Sequence, residues 1–375
     1  MRAGLLYPRR DVFSPCHWSG TPRGIHDGLS ESGVEVVPVG ERLPPGIHQA
    51  VAVLLRASGR RSTVVNRTAV RVWLRGWALS RSIVAAGELD AVVVMATEMF
   101  DLAAIRPRGV PVAAYYDATL LQMWRHLDSD TRRSGFPERE VLRWCERQAE
   151  ASRAADVCCV STAWAGRSLV DDYGVAPELV HVVGIGHRPR RHIDSAGRDW
   201  STPRFLFIGV DWARKNGDAV LRAFADVRCD IPEATLDVVG EHPPLRLPGV
   251  TGHGFLPRED PHSQARLDEL FATATAFVLP SQFEPAGIVY LEAASAALPV
   301  IATNEGGAGE LLGPAAISVD PNDQSALVGA MRRLSDPAFA FAMGAQAAHR
   351  AAGSTWSHVA ARILGALGLG VLERL

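Results

Sequence analysis

Residues 276–294 read AFVLPSQFEPAGIVYLEAA, and this stretch decides the fold. Its apolar start, residues 276–279, predicts a buried strand that ends at Pro280, because proline has no N–H group to give to a sheet. A polar loop follows, and the small residues from Ala286 predict the first turn of a helix. At the carboxyl edge of a parallel sheet, the free N–H groups of such a helix face a bound anion. The stretch therefore predicts a strand, loop and helix of a parallel α/β sheet, with an anion site at its edge.

Two glutamates flank the predicted helix start. Glu284 lies in the loop and Glu292 about two turns inside the helix, so both can point toward the same crevice. A carboxylate accepts two hydroxyl hydrogen bonds at once, which suits the vicinal diols of sugars and ribose. The alternatives are an interaction with the helix dipole for Glu284 and a solvated helix position for Glu292. The apolar neighbours Leu291 and Ala293 indicate a half-buried position and weaken the second alternative.

Short apolar runs alternate with longer amphipathic stretches along the whole chain, which is the pattern of βαβ units. The strands predicted in the first half are Ala3–Tyr7, Val34–Val39, Ala91–Met95, Val110–Tyr115, Val157–Ser161 and Leu179–Val183. Those in the second half are Arg204–Ile208, Thr235–Val239, Val250–Gly252, Ala276–Leu279, Pro299–Thr303 and Ala316–Val319. Two runs of six strands predict an α/β protein with two doubly wound, Rossmann-like domains rather than one large sheet.

A change in composition marks the boundary between the domains. Residues 187–199 are polar, charged and non-periodic, as expected of a linker. We therefore predict an N-terminal domain at 1–190 and a C-terminal domain at 200–355. A C-terminal helix at about 356–375 is expected to pack back on the first domain.

The composition describes a soluble globular protein. Of the 375 residues, 47% are hydrophobic and 21% are charged, and the formal net charge of −2 argues against bulk nucleic-acid binding. No charge-free apolar run reaches membrane-spanning length, and the start at 1–8 is interrupted too early for a signal peptide. The five cysteines include no C-x-x-C pair, and the adjacent Cys158 and Cys159 suit core filling. Reduced cysteines fit a cytoplasmic protein.

The chain has one lysine among its 39 basic residues. It is Lys215, and it lies in the glycine-containing run FIGVDWARKNG at 207–217. An ammonium group is a compact point charge, which suits a phosphate cradle where the planar fork of arginine does not fit. The alternative is chance, because one position must hold the last lysine.

An acid-free stretch at 42–87 carries eight arginines together with Trp73 and Trp77. Within it, Arg67, Arg71 and Arg75 have helical i, i+4 spacing. A basic helix with tryptophans at 56–81 can make a weak peripheral contact with an anionic membrane. The simpler interpretation, which we prefer, is an ordinary solvated helix beside the first sheet.

No residue pattern predicts a metal site. Asp128-Ser129-Asp130 matches the short D-x-D pattern of metal-dependent glycosyltransferases, but three-residue patterns arise often by chance, and we interpret it as a solvated loop. The histidines at 26, 187 and 192 lack metal-ligand spacing.

The segment EPAGIVYLEA at 284–293 resembles the E-x7-E signature of retaining glycosyltransferases of family 4, also called group 1. The match continues along nearly the whole chain and is strongest in the second half. The further matching segments are 18–22 (an N-terminal glycine loop), 159–161, 173–175, 184–186, 209–215 (a phosphate loop), 298–303, Gly306-Gly307 and Glu310. The sequence is thereby identified as a member of this family.

The resemblance implies a GT-B fold, in which two Rossmann-like, doubly wound domains face each other across a cleft. It implies a hexosyltransferase that needs no metal ion and no cofactor. Such an enzyme moves a sugar with retention from a nucleotide-sugar donor, UDP- or GDP-linked, to an acceptor. The acceptor (a glycan, a lipid or a small molecule) is not identified by the sequence.

The resemblance also implies roles for individual residues. Lys215 and Arg214 would neutralise the donor diphosphate, Glu292 would hold the ribose hydroxyls, and Glu284 would face the donor sugar. The implied donor-binding set is Gly20, Gly209, Arg214, Lys215, Phe255, Glu284, Ala286, Gly287, Ile288 and Glu292. The implied catalytic set is Lys215, Glu284 and Asp117. Because the chain offers no obvious covalent nucleophile, catalysis would rest on positioning and on stabilisation of the leaving diphosphate.

The chain departs from the family pattern at two places. Val210 stands where the phosphate loop often has an arginine, so Arg214 is expected to substitute for it or the diphosphate to be held more weakly. The first domain often carries His-Asp after its central strand, and here Tyr116 aligns with the histidine and Asp117 with the aspartate. Tyrosine is a poor general base at neutral pH.

Two other classes of function remain open from the residues alone. One is a GT-B epimerase, and the other is a non-catalytic GT-B protein that binds a nucleotide sugar or a partner. A phosphorylase would need a pyridoxal-binding lysine, which leaves only Lys215 for that role.

Overall fold

The computed structural model describes residues 1–14, 17–44, 46–47, 49–50, 53, 67–189 and 197–370. These form two compact units. The first is Met1–Gly184 together with the chain from Trp356 onward, and the second is Ile185–Thr355. Residues 56–66 of the predicted arginine- and tryptophan-rich segment and residues 190–196 of the predicted linker lie outside the described residues.

The first unit contains a six-stranded parallel sheet in the order β2-β1-β3-β4-β5-β6. Its strands are β1 (Arg2–Leu6), β2 (Glu35–Val39), β3 (Ala91–Val94), β4 (Val112–Tyr116), β5 (Val157–Val160) and β6 (Val180–Val182). Its helices before the second unit are α1 (Thr21–Glu31), α2 (Ala69–Ala86), α3 (Leu102–Ile105), α4 (Leu120–Arg125), α5 (Asp130–Arg133), α6 (Glu138–Ala154) and α7 (Ala163–Asp171). Every residue of β3, β4 and β5 is buried, as expected when helices cover both faces of a parallel sheet.

The second unit contains another six-stranded parallel sheet, in the order β12-β11-β10-β7-β8-β9. Its strands are β7 (Arg204–Ile208), β8 (Thr235–Val239), β9 (Val250–Gly254), β10 (Ala276–Leu279), β11 (Val300–Thr303) and β12 (Ala316–Val319). Its helices are α8 (Gly217–Asp230), α9 (Pro261–Thr273), α10 (Ile288–Ser295), α11 (Gly309–Leu312), α12 (Gln324–Arg333) and α13 (Pro337–Ala352). Strands β7 and β10 are parallel neighbours in the sheet, so the loops that follow them emerge at the same edge.

The twelve strands predicted from sequence are confirmed, with ends that differ by two residues at most. The largest extension is at β9, where Gly254 pairs with Val239 after a shift in register. The α/β prediction with two parallel sheets is confirmed as well.

The chain from Trp356 forms α14 (Trp356–Ala366), which packs on α1 within the first unit. Two glycines of α1 permit this contact. A Cβ atom on Gly24 would lie 2.1 Å from the Trp356 ring, and one on Gly28 would lie 2.1 Å from the Trp356 carbonyl oxygen. The small residues thus let the two helices approach closely, and Trp356 fills the space above them.

A buried arginine joins the ends of two helices in the second unit. Arg198 donates to the carbonyl oxygens of Phe271 and Ala272 near the end of α9, and to those of Ala296 and Ala297 just after α10. Burial lowers the pKa of Arg198 to about 10. A cation at two helix C-termini interacts favourably with both dipoles. This contact fixes the position of α10, the helix that carries Glu292.

Two arginines of α2, Arg71 and Arg75, turn inward, whereas its tryptophans and Arg81 turn outward. Arg71 and Arg75 are buried and form ion pairs with Glu41, whereas 68% of Trp73 and 38% of Trp77 are exposed. The face that the i, i+4 spacing groups as basic is therefore directed into the first unit. Among the described helices, none is long and apolar enough to cross a membrane.

Candidate active site

The loop between β7 and α8 holds the single lysine in a tight turn. The Lys215 N–H group donates to the Asp211 carbonyl oxygen at 2.8 Å, and the Gly217 N–H group donates to the Trp212 carbonyl oxygen at 3.0 Å. A Cβ atom on Gly209 would lie 2.7 Å from Cγ of Lys215. Gly209 is therefore required by the close approach of the lysine side chain.

The loop after β10 is bound to this turn by hydrogen bonds. The Gln282 N–H group donates to the Arg214 carbonyl oxygen at 2.8 Å, and Nη1 of Arg214 donates to the Phe283 carbonyl oxygen at 3.1 Å. The two loops follow adjacent parallel strands, which is why residues far apart in sequence meet here.

Glu284 is buried at the junction of these loops. Its Oε2 atom forms an ion pair with Nζ of Lys215, accepts a hydrogen bond from Oγ of Ser281 at 3.2 Å, and lies 3.7 Å from Nη1 of Arg214. Burial raises the pKa of Glu284, but Lys215 and Arg214 together outweigh burial and lower it. The carboxylate is therefore ionised at neutral pH, beside two cations.

The loop after β11 closes over the backbone of Glu284. The Glu284 N–H group donates to the Glu305 carbonyl oxygen at 3.0 Å, and the Ala308 N–H group donates to the Glu284 carbonyl oxygen at 3.0 Å. Gly306 has φ of 102°, and a Cβ atom there would lie 2.4 Å from the Glu284 carbonyl oxygen. Only glycine fits this position, so the backbone of Glu284 is fixed on both sides.

Helix α10 starts where the sequence predicted an anion site. Ala286 is buried, Gly287 takes a left-handed conformation with φ of 44°, and Ile288 is the first helical residue. The Tyr290 hydroxyl donates to the Leu279 carbonyl oxygen at 2.6 Å and accepts from the Thr303 N–H group at 3.3 Å. These two bonds join the helix to β10 and β11.

Glu292 is 6% exposed and lies in α10, eight positions after Glu284. The solvated alternative for Glu292 is thus wrong. That the two carboxylates point toward one ligand stays a prediction.

An open depression of about 510 Å³ lies beside the lysine turn. It is lined by Val210, Asp211, Trp212, Ala213, Glu241, His242 and Pro243. The last three follow β8 and were missed from the sequence. A signal for them was present, because Gly-Glu-His-Pro comes directly after a predicted strand, at the carboxyl edge of a parallel sheet where ligands bind. Phe255, which follows β9 and belongs to the implied donor-binding set, is 56% exposed.

Serine 281 was also missed. Its hydroxyl reaches Glu284 because the chain bends back at Pro280, and its side chain is fully buried. No sequence pattern separates this serine from an ordinary loop residue.

In the first unit, Gly20 and Asp117 belong to one contact region. Gly20 precedes α1 with φ of 87°, after Trp18 and Ser19, which also have positive φ. Asp117 follows β4, and its Oδ2 atom accepts a hydrogen bond of 2.5 Å from Nε1 of Trp18. The N-terminal glycine loop is therefore joined to the end of the central strand.

Tyr116 points away from this region. Its hydroxyl lies in the core, 3.1 Å from Oγ1 of Thr97, and accepts a hydrogen bond of 2.9 Å from Oγ of Ser152. Burial raises the pKa of Tyr116 well above its ordinary value. The residue that aligns with the family histidine is thus a core residue, and of the pair only Asp117 is partly exposed.

The Asp128–Asp130 pattern belongs to a helix start. Ser129 accepts a hydrogen bond from the Arg132 N–H group and caps α5, whose first residue, Asp130, is exposed. Within the part of the chain that the structure describes, no three His, Cys, Asp or Glu residues gather where they could hold a metal ion.

Comparison with known proteins gives this geometry a family context. Residues 202–336 match the family described as glycosyl transferases group 1. A glycogen synthase of Mycobacterium tuberculosis is 27% identical over 250 residues, which cover 62% of this chain and 58% of that protein. A D-inositol 3-phosphate glycosyltransferase of Rhodococcus jostii is 28% identical over 269 residues, which cover 63% of this chain and 56% of that protein. The chain thus spans little more than half the length of these relatives.

Solved structures extend the likeness to both units. A sucrose-phosphate synthase from Thermosynechococcus elongatus superposes with a TM-score of 0.68 at 17% identity, over 96% of each chain. At this identity the likeness concerns the fold. The chain has the GT-B fold, with two Rossmann-like units, and residues 202–336 of its second unit match the group 1 glycosyl transferase family.

Proposed function

We propose that the chain is a retaining glycosyltransferase of family 4 that moves a hexose from a UDP- or GDP-linked donor to an acceptor. The observation that carries the proposal is the ion pair of Lys215 with buried Glu284, with Arg214 beside it, near the start of α10. Both cations pair with the Glu284 carboxylate, Arg214 also lies 3.9 Å from Oδ2 of Asp211, and the positive end of a helix adds to the two cations. Such a site retains a net attraction for a diphosphate.

The donor would be held by groups that already have fixed positions. Lys215 and Arg214 contact the diphosphate, Glu292 the ribose, and Phe255 the base, while the N–H groups of residues 286–288 face the transferred sugar or the phosphates. Gly209 leaves room for the lysine stem. Because the loops are joined by hydrogen bonds before any ligand arrives, little reorganisation is needed on binding.

Catalysis would depend on the leaving group. As the bond between sugar and diphosphate breaks, negative charge accumulates on the diphosphate, and Lys215 stabilises it more strongly than it stabilises the bound donor. Glu284 keeps the lysine in place and faces the donor sugar. On the first unit, Asp117 is the candidate group for the acceptor, and Gly20 lets the backbone approach the phosphates.

The remaining parts of the proposal concern cofactor, place and partners. We propose that activity needs no divalent metal, because the charges of Lys215 and Arg214 and the helix start neutralise the leaving group. We also propose a cytoplasmic protein that binds no nucleic acid. A weak peripheral membrane contact would be made by the outer face of α2, where Trp73 and Trp77 are exposed, rather than by its inward arginines.

The test begins with a thermal-shift screen of UDP-, GDP- and dTDP-sugars, followed by an assay for release of the nucleoside diphosphate. Lys215→Ala should abolish the shift or the release, whereas Arg222→Ala, an exposed substitution on α8, should behave like the wild type. Donor binding without release, over a panel of acceptors, would favour a non-catalytic binder. An altered sugar with no released diphosphate would favour an epimerase.

A further inference from the structure

A second group of charged residues lies at the carboxyl edge of the first sheet. Arg9 follows β1, Glu41 follows β2 and Glu98 follows β3, and because these strands are parallel their ends meet at one edge. Arg67 and α2 lie beside them. We call four of these residues the arginine cluster: Arg9, Arg67, Arg71 and Arg75.

Two members of the cluster share one buried carboxylate. Nη1 of Arg71 contacts Oε1 of Glu41, and Nε of Arg75 lies 3.2 Å from Oε2 of Glu41. Burial lowers the pKa of Arg75 to about 10, with a contribution from the neighbouring Arg71 and Arg9 and against the opposing effect of Glu41. Within the described part of the chain, the inner half of the cluster therefore pairs two guanidinium groups with the Glu41 carboxylate.

In the outer half of the cluster, Arg67 contacts one carboxylate, that of Glu98, and Arg9 is exposed. Nη2 of Arg67 lies 3.2 Å from Oε1 of Glu98, and the Arg67 guanidinium lies over the Trp144 ring at 4.5 Å from its centre. The Nε atom of Arg67 is buried and has no hydrogen-bond partner among the described residues. Arg9 is exposed, and both Arg9 and Arg67 act on the pKa of Tyr7.

Among the described residues, three guanidinium groups (Arg67, Arg71 and Arg75) thus contact two carboxylates, a difference of one positive charge, and the exposed Arg9 adds a second positive charge close by. Arg147 lies next to this group, where it donates to the Glu98 carbonyl oxygen at 3.0 Å; burial lowers its pKa, against the opposing effect of Glu150, Glu98 and Asp101. Uncompensated positive charge in a partly buried place is costly unless an anion binds there. Guanidinium groups bind phosphate and carboxylate through paired hydrogen bonds.

We propose that the arginine cluster is a binding site for an anionic group, a phosphate monoester or a phosphodiester, on the acceptor, and that Arg9 and Arg67 contact this group directly. This proposal rests on the proposed glycosyltransferase function, since only that function supplies an acceptor. Arg71 and Arg75 act as positioning residues, because their buried side chains hold Glu41 and raise the local positive potential. The acceptor is then a phosphorylated sugar or polyol, or a lipid with a phosphate headgroup.

Calorimetry tests the site without the transfer reaction. The titrations use glycerol 3-phosphate and glycerol, and they are run in a Lys215→Ala background so that phosphate binding at the lysine turn is weakened. We expect glycerol 3-phosphate to bind and glycerol not to. Arg67→Gln and Arg9→Gln should each weaken the binding by roughly tenfold or more, because each removes a charge-assisted contact. Arg139→Gln, on the exposed face of α6, is the matched control and should bind as the background does.

Vesicle sedimentation distinguishes the two sources of phosphate. The vesicles contain phosphatidylcholine alone or with phosphatidylinositol. Binding to the second kind that is lost in Arg67→Gln but kept in Arg139→Gln supports the site and assigns a lipid headgroup. Equal behaviour of Arg67→Gln, Arg9→Gln and Arg139→Gln in every titration and sedimentation overturns the proposal.

The binding of UDP and GDP to the wild type and to Arg67→Gln separates this proposal from the proposed function. If neither nucleotide binds the wild type, the glycosyltransferase proposal fails, whatever the phosphate titrations give. If a nucleotide binds both proteins equally while Arg67→Gln loses glycerol 3-phosphate, the two sites are independent and both proposals stand. Circular dichroism and thermal melting of each variant verify that it is folded.

Discussion

Lys215 and Glu284 form an ion pair across two loops that are 69 residues apart in sequence. Each residue depends on the other. Glu284 is buried among Ser281, Arg214 and the loop after β11, where an unpaired carboxylate would be costly, and Lys215 is held within a turn that has no room for a side chain at Gly209. The pair therefore links the architecture of the second unit to its proposed chemistry.

Lys215→Ala should reduce turnover strongly. The lost charge matters most as the diphosphate leaves, and removal of one such contact corresponds to roughly 2–4 kcal/mol in the transition state. The variant should also lose stability, because Glu284 keeps only the more distant Arg214 as a cationic neighbour. Steady-state kinetics below the unfolding temperature, together with urea unfolding, measure both effects, and Arg222→Ala serves as the control. An unchanged kcat would remove Lys215 from the mechanism.

Acid should destabilise the protein through Glu284. Its pKa is lower in the folded protein than its ordinary value of 4.5, because Lys215 and Arg214 outweigh burial. The stabilising contribution of the carboxylate is therefore fully present above pH 4.5 and is lost as the pH falls through the lower folded pKa. The measurement is the free energy of unfolding of the wild type and of Glu284→Gln between pH 3 and pH 7. Near neutral pH the two curves should have similar slopes, whereas in acid the wild type should lose stability more steeply than Glu284→Gln. Identical slopes below pH 4.5 would contradict this assignment.

How much of the fold and of the candidate site could be predicted from the sequence depends on whether the signal lies within a few neighbouring residues. The strands were predictable because each apolar run is contiguous, and the fold followed from their alternation with amphipathic stretches. The family resemblance implied that Lys215 and Glu284 both contact the donor, but their ion pair was not predicted, since no spacing rule connects residues so far apart. Helical periodicity placed Arg67, Arg71 and Arg75 on one face, but it could not tell that Glu41, in the loop after β2, would bind that face from inside. The orientation of Tyr116 was likewise set by Thr97 and Ser152, which are contacts of the folded state.

The contact between α1 and α14 can be tested with small substitutions. Gly24→Ala or Gly28→Ala would place a methyl group within 2.1 Å of Trp356, so each should lower the free energy of unfolding by about 1–3 kcal/mol. Gly329→Ala is the matched control, because that glycine lies in α12 and nothing lies within 4 Å of an added Cβ atom. Alanine there should stabilise the helix slightly. Denaturant unfolding of the three variants measures the difference, and equal stability of all three would refute the close contact.

Removal of divalent metal should leave activity intact. The leaving diphosphate is expected to be neutralised by Lys215, Arg214 and the start of α10, so no step needs an ion. The assay compares turnover after chelation with EDTA and after addition of magnesium or manganese, with Asp128→Asn as a further variant. If EDTA abolishes turnover, the added metal restores it and Asp128→Asn is inactive, then the Asp128–Asp130 pattern takes part in catalysis.

Glu284 and Glu292 should have separable roles. Glu292 lies inside α10 and is expected to hold the ribose, so Glu292→Gln should weaken binding of the free nucleoside diphosphate as well as of the donor. Glu284 lies in the loop before the helix and is expected to face the transferred sugar, so Glu284→Gln should spare nucleotide binding and reduce turnover. Glutamine keeps the size of the side chain but loses its charge and half of its acceptor capacity, so each variant tests the carboxylate itself.

The contacts of Glu284 sharpen this last comparison. Since the carboxylate pairs with Lys215 and Arg214, Glu284→Gln leaves both cations with less compensating charge, which should preserve or even strengthen diphosphate binding while the position of the lysine is loosened. Calorimetry with free UDP and GDP, followed by kinetics with the donor, separates the two variants. Loss of nucleotide affinity in Glu284→Gln together with normal affinity in Glu292→Gln would reverse the assignment, because the residue that binds the nucleotide would then be the one in the loop.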